Sequence, residues 1–264
     1  MAEKCLLPHQ IIGDRVEEHI LGGLRRALDK QRPETAKCAV ELPADVTGPR
    51  PCSNVTDHII LVAAEPDENT FTNFARSRLS GCFQIEADGN LDAAAGKLAG
   101  MVRHDLLFVS LNSATAYGSR LAVHLCEKLN NLFAIEEAMR VTIKSALVEA
   151  LQNAIVHGNL ELPSPNIQKI PDFEKFASRI NERLQDDTLA SRSIDVGMWK
   201  MENAFFISVT DQGCGFDLDA KDRMSDPDAM PGKQYTGRGR LIMREMSSRM
   251  WVDQGGRRTI MRFD

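Results

Sequence analysis

The spacing of apolar residues along this chain changes from segment to segment, and each change marks an element. Residues 9–30 place Ile11, Ile12, Val16, Ile20, Leu21 and Leu24 at helical spacing and read as one helix. Residues 31–54 are rich in Pro, Thr and Ala without any period, as a linker would be. A β-α-β-α order follows: a buried strand over 58–64, a helix over 69–79, a weak strand over 82–87, the turn Asp88-Gly89-Asn90 and an Ala-rich helix over 91–102. Residues 106–111 read as a strand, and 114–132 and 136–157 as two helices. A loop over 163–172, carrying Pro163, Pro165 and Pro171, leads into a helix over 173–184. Strands over 194–201 and 204–210 are joined by a tight Glu202-Asn203 turn. A polar stretch over 217–236 with little periodicity precedes a short helix over 241–249. The chain closes with a hairpin, 251–253 and 257–263, about Gly255-Gly256.

Composition narrows the classes of function. The 264 residues are 43% hydrophobic and 26% charged, the balance of a globular protein of one large domain or two small ones. A net charge of −5 gives no global case for nucleic acid or an anionic membrane, although Arg238, Arg240 and Arg244 cluster. The longest strictly apolar run, 59–64, is far short of the roughly 20 residues of a membrane span. The opening MAEKCLLPHQ has no apolar segment of an export signal. Six scattered cysteines without a CxxC pair speak against a zinc site or a disulfide framework, and for a reduced, cytoplasmic location.

Three clusters carry chemistry. On the helix over 136–157, Ile143, Leu147, Ala150, Leu151 and Ala154 form an apolar stripe. At about 100° per residue Glu149 and Gln152 point away from it, with Asn153 on its flank. Glu149 and Asn153 stand one turn apart and are neighbours. A screened carboxylate can take a proton from a hydroxyl, and an amide oxygen is a hard ligand that suits magnesium. Most such pairs on amphipathic helices are simply solvated. The second cluster follows the strand over 204–210: Asp211-Gln212-Gly213-Cys214-Gly215-Phe216. An Asp at a strand end can accept from an exocyclic amine such as that of adenine, and the glycines let backbone approach a flat ring. The bland alternative is an ordinary turn. The third, Thr236-Gly237-Arg238-Gly239, opens the helix over 241–249. Free N–H groups at a helix start suit phosphate, although a lone GxG is weak and no Walker loop occurs.

Taken in order, the three clusters resemble the boxes of the GHKL ATPase superfamily, which has the Bergerat fold. Glu149-Ala-Leu-Gln-Asn153-Ala-Ile-Val-His157-Gly158 looks like the N-box, Asp211-x-Gly213-x-Gly215-Phe216 the first glycine box, and Gly237-Arg-Gly239 with Leu241-Ile-Met-Arg244 the second. Within that superfamily the wording is most similar to bacterial anti-sigma-factor serine/threonine-protein kinases. The resemblance covers about 106–264 and implies an α+β fold, a two-layer sandwich of a mixed, mainly antiparallel sheet with helices on one face. It implies ATP with magnesium as the ligand and a lid over 217–236. Glu149 would be the general base and Asn153 the magnesium ligand. Asp211 would read adenine beside Gly213 and Gly215, with Gly237, Arg238 and Gly239 at the phosphates. His157 is counted with the nucleotide site and weighs as structural rather than catalytic. Cys214 would lie near adenine.

The implied function is phosphorylation or sequestration of a protein partner, an anti-sigma antagonist or sigma-like regulator, with homodimerisation expected from the family alone. Arg240 departs from the small or apolar residue usual after the second glycine, and the 163–184 segment is longer than the family minimum. A non-catalytic, ATP-dependent binding module is therefore the first alternative. A histidine-kinase-like ATPase is the second, since Arg103-His104-Asp105-Leu106 faintly resembles a phosphoacceptor box. Too few positions separate His104 from Asn153, however, to hold a dimerising hairpin and the start of an ATPase domain. The expected organisation is 1–57 as N-terminal helix and linker, 58–105 as a small α/β unit with a degenerate receiver as one reading, and 106–264 as the ATP-binding domain. The Met243, Met246 and Met250 cluster reads as core.

Overall fold

The computed structural model describes residues 9–14, 18–30, 58–77, 79–86, 89–104, 107–164, 170–201, 203–215 and 238–264. The linker expected over 31–54 and the lid expected over 217–236 lie outside them. The chain divides into two units: residues 1–111, 123–135 and 197–199, and residues 112–122, 136–196 and 200–264.

In the first unit, β1 (His9–Asp14), β2 (His58–Ala63), β3 (Gly81–Gln84) and β4 (Leu107–Asn112) each pair in parallel with the next. α1 (Glu18–Lys30) and α3 (Leu91–His104) pack together. Their Ile20, Leu24, Ala27, Ala95 and Leu98 share a core with Ile60, Val62, Phe83 and Phe108. Alternate residues Leu61, Cys82 and Val109 are also buried, which is why these strands read as unbroken apolar runs rather than alternations. Gly81 faces Phe108 across the ladder, and a Cβ there would fall 2.3 Å from Phe108 Cζ, so the ring fits only over glycine. The sequential strand order differs from the 2-1-3 start of a receiver.

Residues 9–30 are not one helix. The Ile11-Ile12 pair gives six residues a ladder with β2, Ile11 opposite Ile60, and helix begins only at Glu18. Tertiary pairing overrides helical spacing here, because adjacent β-branched residues suit a strand as well as a helix.

The helix expected over 114–132 is two, α4 (Ser113–Gly118) and α5 (Leu121–Phe133), broken at Gly118-Ser119. Asn112 caps α4, its side chain accepting from Thr115 N–H at 2.8 Å. α5 meets α2 (Glu68–Arg76) in the first unit through polar groups. Lys128 is fully buried. Its Nζ donates to the Phe74 carbonyl at 3.0 Å and the Ser77 carbonyl at 2.5 Å, and lies 5.1 Å from the Phe74 ring centre. The last carbonyls of a helix have no partner within it, and the ammonium supplies one. Asn131 donates to the Ala75 carbonyl at 3.2 Å, and His124 Nε2 lies 2.8 Å from Glu68 Oε2.

In the second unit the strands run in the order β5 (Ser193–Met201), β6 (Ala204–Thr210), β8 (Arg258–Phe263), β7 (Arg249–Asp253). β8 is antiparallel to both neighbours, with Ile207 opposite Met261 and Trp251 opposite Ile260. The tip of the β7–β8 hairpin bends through positive φ at Gln254, Gly255 and Gly256. α6 (Glu137–Gln152) packs against β8 and against α9 (Arg238–Met246). α9 starts three residues earlier than the spacing suggests and stops at Met246, because Arg249 pairs with Arg262 in the sheet. α7 (Ile170–Leu184) is followed by the short α8 (Asp187–Ala190), which Asp186 caps by accepting from Thr188 N–H at 3.0 Å. The fold is α+β, as the motifs imply.

The helix expected over 136–157 changes character at its end. It is α to Gln152 and a π-helix over Asn153–Asn159, where Leu160 N–H reaches back to the Ile155 carbonyl at 2.9 Å. Such wide turns are rare and favour functional sites.

Replacing Lys128 with Met keeps the volume but removes the ammonium from the half-buried Ser77 carbonyl and from the Phe74 carbonyl, which keeps Ser77 N–H and Oγ as donors. Lys128→Met is expected to lower unfolding free energy by about 1–3 kcal/mol, read as a fall in urea midpoint at constant slope.

Candidate functional site

Glu149 and Asn153 lie in the last turn of α6 and the first residue of the π segment. Asn153 N–H is shared between the Ala150 and Glu149 carbonyls, so the pair keeps its one-turn spacing as the helix widens. α9 brings Gly239 onto both side chains. A Cβ on Gly239 would lie 2.7 Å from Glu149 Oε2 and 3.2 Å from Asn153 Nδ2. Three residues separated by 86 and 4 positions thus meet because this position of α9 carries hydrogen in place of a side chain.

A second convergence lies one turn further along. β6 ends at Thr210, and Asp211 N–H carries the ladder one step on by donating to the Arg257 carbonyl at 2.9 Å. The Asp211 carboxylate rests on the α-carbon of Gly158, where a Cβ would fall 2.5 Å from its Cγ. Gly213 N–H donates to Asp211 Oδ1 at 2.8 Å. Gly213 in turn lies against Gly158, and a Cβ on it would sit 2.3 Å from the Gly158 carbonyl oxygen. Burial pushes the Asp211 carboxyl up to about 6, against the opposing pull of Gly213 N–H, Arg257 and Arg192. Gly215 adopts φ +70°, and a Cβ there would meet the Gly255 carbonyl at 2.1 Å, so glycine is required on both counts.

Asn159, directly after Gly158, carries no motif signal and is fully buried. Its Nδ2 donates to Ser113 Oγ at 2.8 Å, the Ser193 carbonyl at 3.0 Å and the Arg192 carbonyl at 3.2 Å. Its Oδ1 accepts from Gln212 N–H at 2.7 Å, and its own carbonyl accepts from Arg192 Nη1 at 2.8 Å. Arg192 also pairs with Glu161 at 2.6 Å and holds that carboxyl below its usual range. Cys214 is exposed, with Sγ 3.5 Å from Glu161 Oε1. One sequence offers no cue to Asn159 beyond a polar residue after His157-Gly158, because its partners come from three separate segments.

His157 lies in the π segment. Its Nδ1 donates to the Leu162 carbonyl at 2.6 Å, with Ser164 Oγ 3.5 Å from Nε2. Phe216 and Gly237 lie outside the described residues. Arg238 begins α9 and Arg240 is half-buried in its first turn.

A family model described as the histidine kinase-like ATPase domain matches residues 113–263, more than half the chain. The chain belongs to this family. Among curated proteins, none matches it. The ATPase domain therefore contains both convergences, and Glu149, Asn153, Asp211, Gly213, Gly215 and Gly239 all fall within the match. No helix among the described residues is long and apolar enough to cross a membrane.

The residues present fit a magnesium nucleotide. Without a side chain, Gly239 brings helix backbone against one carboxylate and one carboxamide, the donor types that suit a magnesium-bound phosphate. Among the described residues no three His, Cys, Asp or Glu side chains gather to hold a metal.

Gly213→Ala drives a Cβ into backbone and should cost about 2–3 kcal/mol. Gly239→Ala meets the movable end of Glu149 and should cost less; paired urea titrations check the order. Asp211 also predicts a pH dependence. Its folded pKa of about 6 exceeds the ordinary 3.8 of an unfolded chain, so its contribution is full below about 4 and is lost as pH rises to 6. Asp211→Asn keeps an acceptor for Gly213 N–H. Its stability relative to wild type should therefore improve between pH 4 and pH 7, measured by denaturant unfolding at both.

Proposed function

We propose that this ATPase domain binds ATP with magnesium and transfers phosphate to a serine or threonine of a partner protein, in the manner of anti-sigma-factor kinases. The packing of Gly239 on Glu149 and Asn153 carries the reading. It joins a carboxylate, a carboxamide and a helix start at one place, and phosphoryl transfer needs mainly positioning and charge neutralisation. Magnesium, when bound, would offset charge on the phosphate oxygens, with Asn153 as its protein ligand. The Glu149 carboxylate takes the proton of the acceptor hydroxyl. Asp211 accepts from the exocyclic amine of adenine, and Gly213 and Gly215 keep backbone close to the ring. Gly237 and Gly239 present backbone to the phosphates with the charge of Arg238. His157 supports the pocket by tying the π segment to Leu162.

The partner would be an anti-sigma antagonist or a sigma-like regulator, and the kinase a cytoplasmic protein acting as a homodimer. Arg240, where the family has a small or apolar residue, favours one second reading: a module that binds ATP and its partner without catalysis.

Calorimetric titration with magnesium-ATP should show saturable binding to wild type and at least about tenfold weaker binding to Asp211→Asn. A folded wild type that takes up no ATP would sink the reading. Glu149→Gln should bind ATP like wild type and lose about 10²–10⁴ in transfer rate. Phosphate on the partner that survives acid and is lost in base identifies serine or threonine; no phosphate on any co-purifying partner leaves the non-catalytic reading in its place.

A further inference from the structure

We infer that Asn159 is a positioning residue that sets selectivity for a 6-aminopurine base by fixing the Asp211 carboxylate; the inference rests on Asp211 as the base-reading group. Asp211 is held from both sides along the chain. Its own N–H is bound to the Arg257 carbonyl, and the next N–H, that of Gln212, is bound to Asn159 Oδ1 at 2.7 Å. These two bonds fix the peptide planes on either side of the Asp211 α-carbon, and so the direction in which its side chain leaves. The Gln212 side chain is engaged too, its Oε1 accepting from Ser193 N–H at 2.8 Å.

Asn159 can do this because it is itself fixed. Its Nδ2 finds acceptors on α4, through Ser113 Oγ, and at the start of β5, through the Arg192 and Ser193 carbonyls. Ser113 is tied to the same place, with its N–H and Oγ both 2.8 Å from the Arg192 carbonyl. The two donor hydrogens and the carbonyl oxygen of the carboxamide are all used, with no exposure to water. Asn159 also directly follows Gly158, on whose α-carbon the Asp211 carboxylate rests. The residue next to the floor under the carboxylate thus also holds, through its side chain, the backbone that carries it. An apolar residue of the same size would fill the space and leave Gln212 N–H without its acceptor.

The expected effect falls on discrimination rather than on binding as a whole. A site built to hydrogen-bond one group of a ligand rejects the analogue that lacks it only while the partner group is held in place. The proposed phosphate end, at Glu149, Asn153 and Gly239, lies apart from the Asn159 side-chain partners Ser113, Arg192, Ser193 and Gln212.

The test uses the full chain, with ATP and purine riboside triphosphate, the same nucleotide without the exocyclic amine, as calorimetric probes. Wild type should prefer ATP by about ten- to a hundredfold. Asn159→Leu, checked for folding by circular dichroism and thermal melting, should reduce the preference to about threefold or less while changing the analogue's affinity by less than about twofold. In the Asp211→Asn background the same substitution should change ATP affinity by less than about twofold, since the two act as one unit. If Asn159→Leu does not fold, Ser113→Ala, which removes one Asn159 partner, should still lower the preference about threefold; unchanged preference there overturns the proposal. A folded Asn159→Leu with wild-type preference overturns it while leaving Asp211 as the reader, provided Asp211→Asn loses the preference. A wild type that binds both nucleotides equally overturns the base-reading assignment and this proposal together.

Discussion

The contact between the Gly158 backbone, the Asp211 carboxylate and Gly213 is the constraint on which the site depends. It brings the end of a helix and the end of a strand closer than any side chain would allow. Two consequences follow directly. The carboxylate is shielded from water, which raises its proton affinity. The helix end must also be a shape that exposes an α-carbon to the sheet, and the π segment over Asn153–Asn159 contains that α-carbon.

The same logic recurs where side chains rather than glycines make the junction. Asn159 in the second unit and Lys128 in the first are fully buried polar groups that take up backbone partners from other segments. A buried donor or acceptor is costly only when unpaired, so each makes one arrangement of its neighbours far better than any slipped one. Lys128 closes the end of α2, and Asn159 closes the start of β5 onto the end of β6. The exposed ion pairs, such as Arg76 with Glu127, add little beside these.

Part of this was legible from residue order. The strands over 194–201 and 204–210 and the hairpin about Gly255-Gly256 follow from alternation and turn chemistry, and β5, β6, β7 and β8 stand where those signals put them. Element breaks were harder to read. Ile11 and Ile12 fit a helix or a strand equally, and only the ladder with β2 decides between them. The break at Gly118-Ser119 hides in a run of helix-compatible residues, and the widening after Gln152 leaves the apolar stripe intact.

By itself the sequence determined which side chains are available for chemistry and in what order. Glu149 and Asn153 share a helix turn because four residues make about one turn, and Asp211 follows a strand because alternation ends there. Those are local consequences of backbone geometry, and they need no partner. Only the tertiary structure decided that Gly239 lies on Glu149 and Asn153, that Gly158 lies under Asp211, and that Asn159 binds segments from Ser113 to Gln212. Those contacts join residues far apart in the chain. Their selection rests on close packing and on pairing every buried polar group, conditions that the whole fold satisfies at once and no single segment can express.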